Sequence, residues 1–186
     1  MIINVLFETI SEIKNIENIE NNKEMYNRQV IDILNSSDAI TKSIKGINYK
    51  YKEVTGNVTP HLNITWIDDD YDMKFKGYSI AILNSRYPGK IFLNINNWRR
   101  LRKPHHSAWI EHYGKNRALK VYRKYVINHE LGHVLGAKHD DFDVSPSTKS
   151  CHLMEQQTFA PKRNCKPSYK VHKNTIKIIE KSSKLG

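Results

Sequence analysis

Eleven consecutive residues constrain this chain more than any others: His129-Glu130-Leu131-Gly132-His133-Val134-Leu135-Gly136-Ala137-Lys138-His139. The apolar residues Leu119, Tyr122, Val126, Leu131 and Leu135 recur at helical spacing and predict a helix from about Asn116 to Leu135. Residues four apart share a helix face, so His129 and His133 can aim their imidazoles at one ion. Glu130, one residue on, is angled away from that pair and can take a proton from metal-bound water instead of ligating. Gly136 accepts the left-handed backbone that ends a helix sharply, which lets the chain turn back and bring His139 to the same ion. Three neutral imidazoles suit one Zn2+ and leave its fourth position open for water, the pattern of a catalytic rather than a structural site.

The rest of the chain supplies a sheet before this helix. Met1 to Glu8 reads as an opening strand, and Ile10 to Lys23 as a loop leading into a helix from about Asn22 to Asn35 with Met25, Val30, Ile31 and Leu34 as its stripe. Alternating runs at Ile47–Val54, Leu62–Ile67, Tyr78–Leu83 and Lys90–Ile95 read as strands. The last two are joined by a segment carrying Pro88-Gly89, which marks a hairpin. Arg99 to His106 reads as a basic loop, Lys138 to Ser150 as a polar loop, and Tyr169 to Ser182 as a final helix with Val171, Ile176 and Ile179 facing inward. This order fits an α+β or α/β layout in two parts.

The length of 186 residues suits one domain with a real core, and 39% hydrophobic residues exclude wholesale disorder. No stretch approaches the roughly 18 apolar residues of a membrane span. The N-terminus lacks the basic start, long apolar centre and small-residue cleavage site of a signal peptide, and no compartment is assigned. A net charge of +11 suits phosphates, anionic surfaces or acidic proteins, although the lysines spread along the chain instead of forming one arm. Cys151 and Cys165 are too few for a zinc ribbon of four cysteines; in an oxidising compartment they could close a loop worth ~3 kcal/mol.

The eleven residues match the long zinc signature of the metzincin clan of metallopeptidases, and Met154 is the methionine that resembles that clan's Met-turn. The resemblance implies an α+β fold in a single domain: residues 1–136 as an upper part with a twisted mixed sheet and two helices above a cleft, residues 137–186 as a lower part with the Met-turn and last helix. It implies a zinc endopeptidase with His129, His133 and His139 as metal ligands, Glu130 as catalytic base and Met154 as an apolar floor, and a monomer is expected. It implies a peptide or protein substrate, an acidic one if the charge matters, with an extended peptide pairing along Lys90–Asn96 as an edge strand. Some metzincins carry a metal-reaching tyrosine two residues after the methionine; here Gln156 stands there, and no fifth protein ligand is expected. From Trp98 onward, Tyr122–Glu130, Leu153–Thr158 and Cys165 resemble an uncharacterised bacterial metzincin-like family. The competing reading is a nucleic-acid- or anionic-surface-binding protein on such a scaffold with little catalysis; the intact Glu130 argues against it.

Lesser candidates remain. His105-His106 offers a second metal site against the commoner solvated loop, and His152 is expected to be structural or exposed. Asp68, Asp69, Asp70 and Asp72 lack the spacing of a calcium loop and read as an acidic turn. Asn57 and Asn63 open glycosylation sequons.

Overall fold

The computed structural model describes residues 1–10, 20–69, 79–82, 89–101, 106–139, 150–155, 157 and 165–182. The elements are β1 (Ile2–Thr9), α1 (Lys23–Asn35), a 3-10 turn (Ile40–Ser43), β2 (Lys50–Val54), β3 (Leu62–Ile67), β4 (Ser79–Ile82), β5 (Gly89–Asn94), α2 (Ile95–Arg99), α3 (His106–Tyr113), α4 (Lys115–Val134) and α5 (Lys173–Ser182). The strands form one sheet in the order β2-β1-β3-β5-β4. Four strands run parallel, and β4 returns antiparallel to β5 with Ser79 opposite Leu93 and Ile82 opposite Lys90. This is the expected α+β fold with a mixed sheet.

Strand β3 lies mid-sheet, and all six of its residues are buried. A strand covered on both faces has no solvent side, so its polar members need partners. Burial also bears on the Asn63 sequon: that side chain is buried on β3 and is closed to a glycan, whereas Asn57 is exposed. Trp66 is wholly buried, meets Trp98 edge-on at 5.4 Å, and donates its indole N–H to Asn27 of α1 at 3.0 Å.

Four expectations need correction. Strand β5 is not an edge; it lies between β3 and β4, and the hairpin return puts β4 outermost. A helix, α3, was not expected between the basic stretch and α4; Trp109, wholly buried against Tyr122 and Tyr125, anchors it. A single large ring holding a short helix leaves little periodicity to read. On α1, Met25 is 48% exposed, and Tyr26 with Val30 and Leu34 faces the core instead. The final helix also begins later than expected, at Lys173. The expected loop from Ile10 to Lys23 falls mostly outside the described residues.

Helix α4 packs against α1, α3, β4, β5 and the 3-10 turn, and from Tyr125 to Gly132 every residue is buried. Polar side chains lock its position. Asn128 accepts from the Ile40 N–H at 2.8 Å and donates to the Asp38 carbonyl at 3.1 Å, while Lys124 pairs with the Asp38 carboxylate. Arg123 donates twice to the Trp98 carbonyl, at 2.9 and 2.7 Å. At the helix end, a Cβ on Gly89 would stand 2.6 Å from Val134, so helix and strand touch there with no room for a side chain.

Asn128 immediately precedes His129, and its two bonds set the rotation of the helix at that point. Replacing Asn128 with Ala orphans a buried N–H and a carbonyl, a cost of about 1–3 kcal/mol. Urea unfolding with an unchanged denaturant slope is the expected readout; a midpoint equal to wild type would refute the anchor.

Candidate metal centre

The C-terminus of α4 is shaped by hydrogen bonds that close a left-handed turn. The Ala137 N–H reaches the Gly132 carbonyl and the Gly136 N–H reaches the His133 carbonyl, both at 2.9 Å, with Gly136 at φ 97°. This is the six-to-one, five-to-two pattern that satisfies the last carbonyls of a helix, and it needs a residue without a Cβ at the left-handed position. The turn reverses the chain within three residues and carries His139 back over the helix end.

The three imidazoles then converge. The Nε2 atom of His139 lies 3.0 Å from that of His129 and 2.9 Å from that of His133. The other nitrogens are engaged: His129 Nδ1 donates to the Leu153 carbonyl and His133 Nδ1 to the Ala137 carbonyl, each at 2.8 Å. With Nδ1 protonated, a neutral ring presents an Nε2 lone pair, so His129 and His133 both turn lone pairs toward the convergence point. Lone pairs at this separation repel unless a cation lies among them. Nitrogens bound tetrahedrally at about 2.0–2.1 Å would stand about 3.3 Å apart, close to the spacing seen. His129, His133 and His139 could therefore hold a metal ion.

Electrostatics agree with neutral rings. Burial pushes His129 down to about 3, the nearby His133 adds to the shift, and the Leu153 carbonyl partly opposes it. Burial also lowers His133, against the Ala137 carbonyl. Glu130 is 3% exposed, on the turn of α4 that carries His129.

Met154 is wholly buried, and a Cβ on Gly132 would lie 2.5 Å from its sulfur. The thioether thus packs on bare helix backbone between the two histidine turns, which explains a glycine inside the helix where it otherwise weakens it. The chain around Met154 is tied to α4 by Tyr125, whose hydroxyl donates to the Glu155 carbonyl at 2.9 Å and accepts from the Gln157 N–H at 3.0 Å. Gln157 continues the network, exchanging bonds with Ser168 at 2.8 and 2.7 Å. Cys151 and Cys165 form a disulfide on the other side of this turn. Sequence reasoning passed over Tyr125 and Gln157. Tyr125 lies four residues before His129, so helical spacing alone could have drawn it to the same face.

Other candidates fall elsewhere. His152 faces His172, ring centres 4.4 Å apart, rather than joining the triad. Asp69 accepts from Asn94 at 3.0 Å and Asn96 at 3.1 Å, ordinary ties between the ends of β3 and β5. Gln156, Asp70, Asp72 and His105 lie outside the described residues, as does the side chain of His106.

Comparison with known proteins adds a family and two distant likenesses. The sequence model of the family described as protein of unknown function (DUF3152) matches residues 22–183. That match takes in strands β2 to β5 and the histidine triad and leaves β1 outside it. The sequence matches no curated protein. An archaemetzincin structure from Methanopyrus kandleri is 12% identical with a TM-score of 0.41, the alignment covering 98% of this chain and 96% of that one. A GM1-bound ECX AB5 holotoxin is also 12% identical, with a TM-score of 0.35, covering 98% of this chain and 71% of that one.

Two outcomes follow from this packing. Gly132→Ala should cost about 1–3 kcal/mol by overpacking. The cost should shrink in a Met154→Ala background, as a double-mutant cycle by chemical denaturation would read; additive effects would deny the contact. In metal-free protein, the depressed His129 means that the unfolded chain binds more protons between about pH 6.5 and 3. The stability contributed by neutral His129 is thus lost as pH falls through that window. Wild type should lose more thermal stability on acidification than His129→Gln, and parallel melting curves would refute the shift.

Proposed function

The chain belongs to the DUF3152 family, and we propose that it is a zinc-dependent endopeptidase, with His129, His133 and His139 as metal ligands and Glu130 as general base. The observation that carries this reading is the convergence of three Nε2 atoms, two of them on rings held by backbone carbonyls. A site built from three neutral donors leaves coordination positions for water and substrate. Zinc bound there would supply Lewis acidity, bringing bound water toward a pKa of ~7 and polarising the scissile carbonyl.

The residues of the chain do the remaining work. Glu130 takes the proton of the attacking water and passes it to the leaving amine, so one carboxylate serves as base and then as acid. The Leu153 and Ala137 carbonyls keep the His129 and His133 rings in the tautomer that leaves Nε2 free to ligate. Met154 keeps the underside of the site apolar, and no proton moves through it. The signature from His129 to His139 with Met154 downstream resembles the metzincin arrangement and supports the same reading. Among the described residues no helix is long and apolar enough to cross a membrane.

Elemental analysis combined with a mixed peptide library read by mass spectrometry tests the proposal. Wild type and Glu130→Ala should each hold about one zinc, and only wild type should cleave, with the variant down about 10²–10⁴-fold in rate. His133→Ala should lose the metal. Zinc-free wild type sinks the reading; zinc without cleavage turns it toward a binding role, which the net charge of +11 would suit on anionic partners.

A further inference from the structure

The proposed metal centre depends on a turn outside the signature. Leu153 orients His129, and Met154 packs under Gly132, yet residues 151–155 belong to no helix or strand. Covalent and hydrogen-bonded ties hold them. Tyr125 and Gln157 supply the bonds already described, and the Cys151–Cys165 disulfide supplies the third tie, reinforced by the Cys151 N–H donating to the Lys166 carbonyl at 2.8 Å. Only the disulfide responds to a chemical signal.

Glu155 links the disulfide to the metal centre. Its side chain is 1% exposed; Oε2 lies 3.3 Å from Cys165 Sγ and Oε1 accepts from the His152 N–H at 3.0 Å. A disulfide sulfur has no proton to donate, so in the oxidised protein the sulfur contact is not a hydrogen bond. Reduction creates a thiol there that can donate to the carboxylate. The same carboxylate holds the amide of His152, whose neighbour Leu153 carries the carbonyl that orients His129. The reduced state thus gains a bond on the other oxygen of the carboxylate that shapes the turn, and loses the staple.

We propose that the Cys151–Cys165 disulfide is a redox control on metal affinity, resting on the metal-centre reading above. A dithiol reductant transfers two electrons and two protons to the bridge. The S–S bond breaks, Cys151 and Cys165 become thiols, and the reductant closes its own disulfide. The turn then holds His129 less firmly, and zinc is bound more weakly. Loss of a partner that orients a ligating histidine costs about 10–100-fold in metal affinity.

The test titrates zinc against a chromogenic chelator in three forms of the full chain: oxidised, reduced with dithiothreitol then desalted under argon, and Cys151→Ser with Cys165→Ser. Amide hydrogen exchange follows the metal-free oxidised and reduced forms. The expected result is about one tight zinc in the oxidised form, binding at least about 10-fold weaker in the other two, and faster exchange confined to residues 151–157. Equal affinity in all three forms overturns the proposal while leaving the metal centre intact. Tighter binding or a second zinc on reduction overturns it also, because Cys151, Glu155 and Cys165 would then be ligands themselves. Sheet-wide exchange on reduction makes the bridge a global staple and overturns the local control. An oxidised form that binds no zinc removes the metal centre and this proposal together.

Discussion

Two backbone carbonyls, of Ala137 and Leu153, hold the two histidine rings of α4, and much of the molecule serves to put those carbonyls in place. The first comes from within eight residues of His129, through the left-handed turn at Gly136. The second arrives from a separate segment. A ring nitrogen that donates to a fixed acceptor has one tautomer and one orientation, so these contacts decide which lone pairs would face an ion bound there. Without them, three histidines at a helix end are three side chains with independent rotamers.

The scaffold behind this is a helix whose second half is buried on every side. Residues 125 to 132 of α4 meet sheet, neighbouring helices and the Met154 turn. Such a helix cannot be placed by a single apolar stripe, because it has no solvent face to exclude. Polar locks do that work instead: Arg123 on Trp98, Lys124 on Asp38, Asn128 on the 3-10 turn, and Tyr125 on the segment after Met154. Four consecutive or near-consecutive side chains thus fix rotation and height just before the first proposed ligand. Gly132 and Gly89 then allow contact distances that a Cβ would forbid.

Chemistry and folding pull on the same groups. Burial that keeps His129 neutral also makes the metal-free protein sensitive to acid. A metal bound to the three rings would stabilise the folded chain by mass action, since the unfolded chain offers no preformed site. Glu155 and the cysteines stand in a similar position. The disulfide stiffens the turn in one oxidation state, and reduction replaces it with a thiol beside the Glu155 carboxylate.

The local pieces were legible in the sequence because their causes are local. Alternation marked the strands at Leu62–Ile67 and Lys90–Ile95 to within a residue or so, and helical spacing placed α1 and α4. The spacing of His129, His133 and His139 follows from helix pitch and from the one backbone conformation that glycine tolerates best, so the triad needed no partner segments to be recognised. What the tertiary structure decided involves residues far apart in the chain. Strand order, and with it the burial of β5 and the edge position of β4, is set by packing among segments that carry no label of their neighbours. The anchoring of α3 by Trp109, the reach of Leu153 to His129 across 24 residues, and the joining of Cys151 to Cys165 depend on contacts that periodicity does not encode. Sequence spacing determined which groups could meet an ion; long-range packing decided how firmly they are held there.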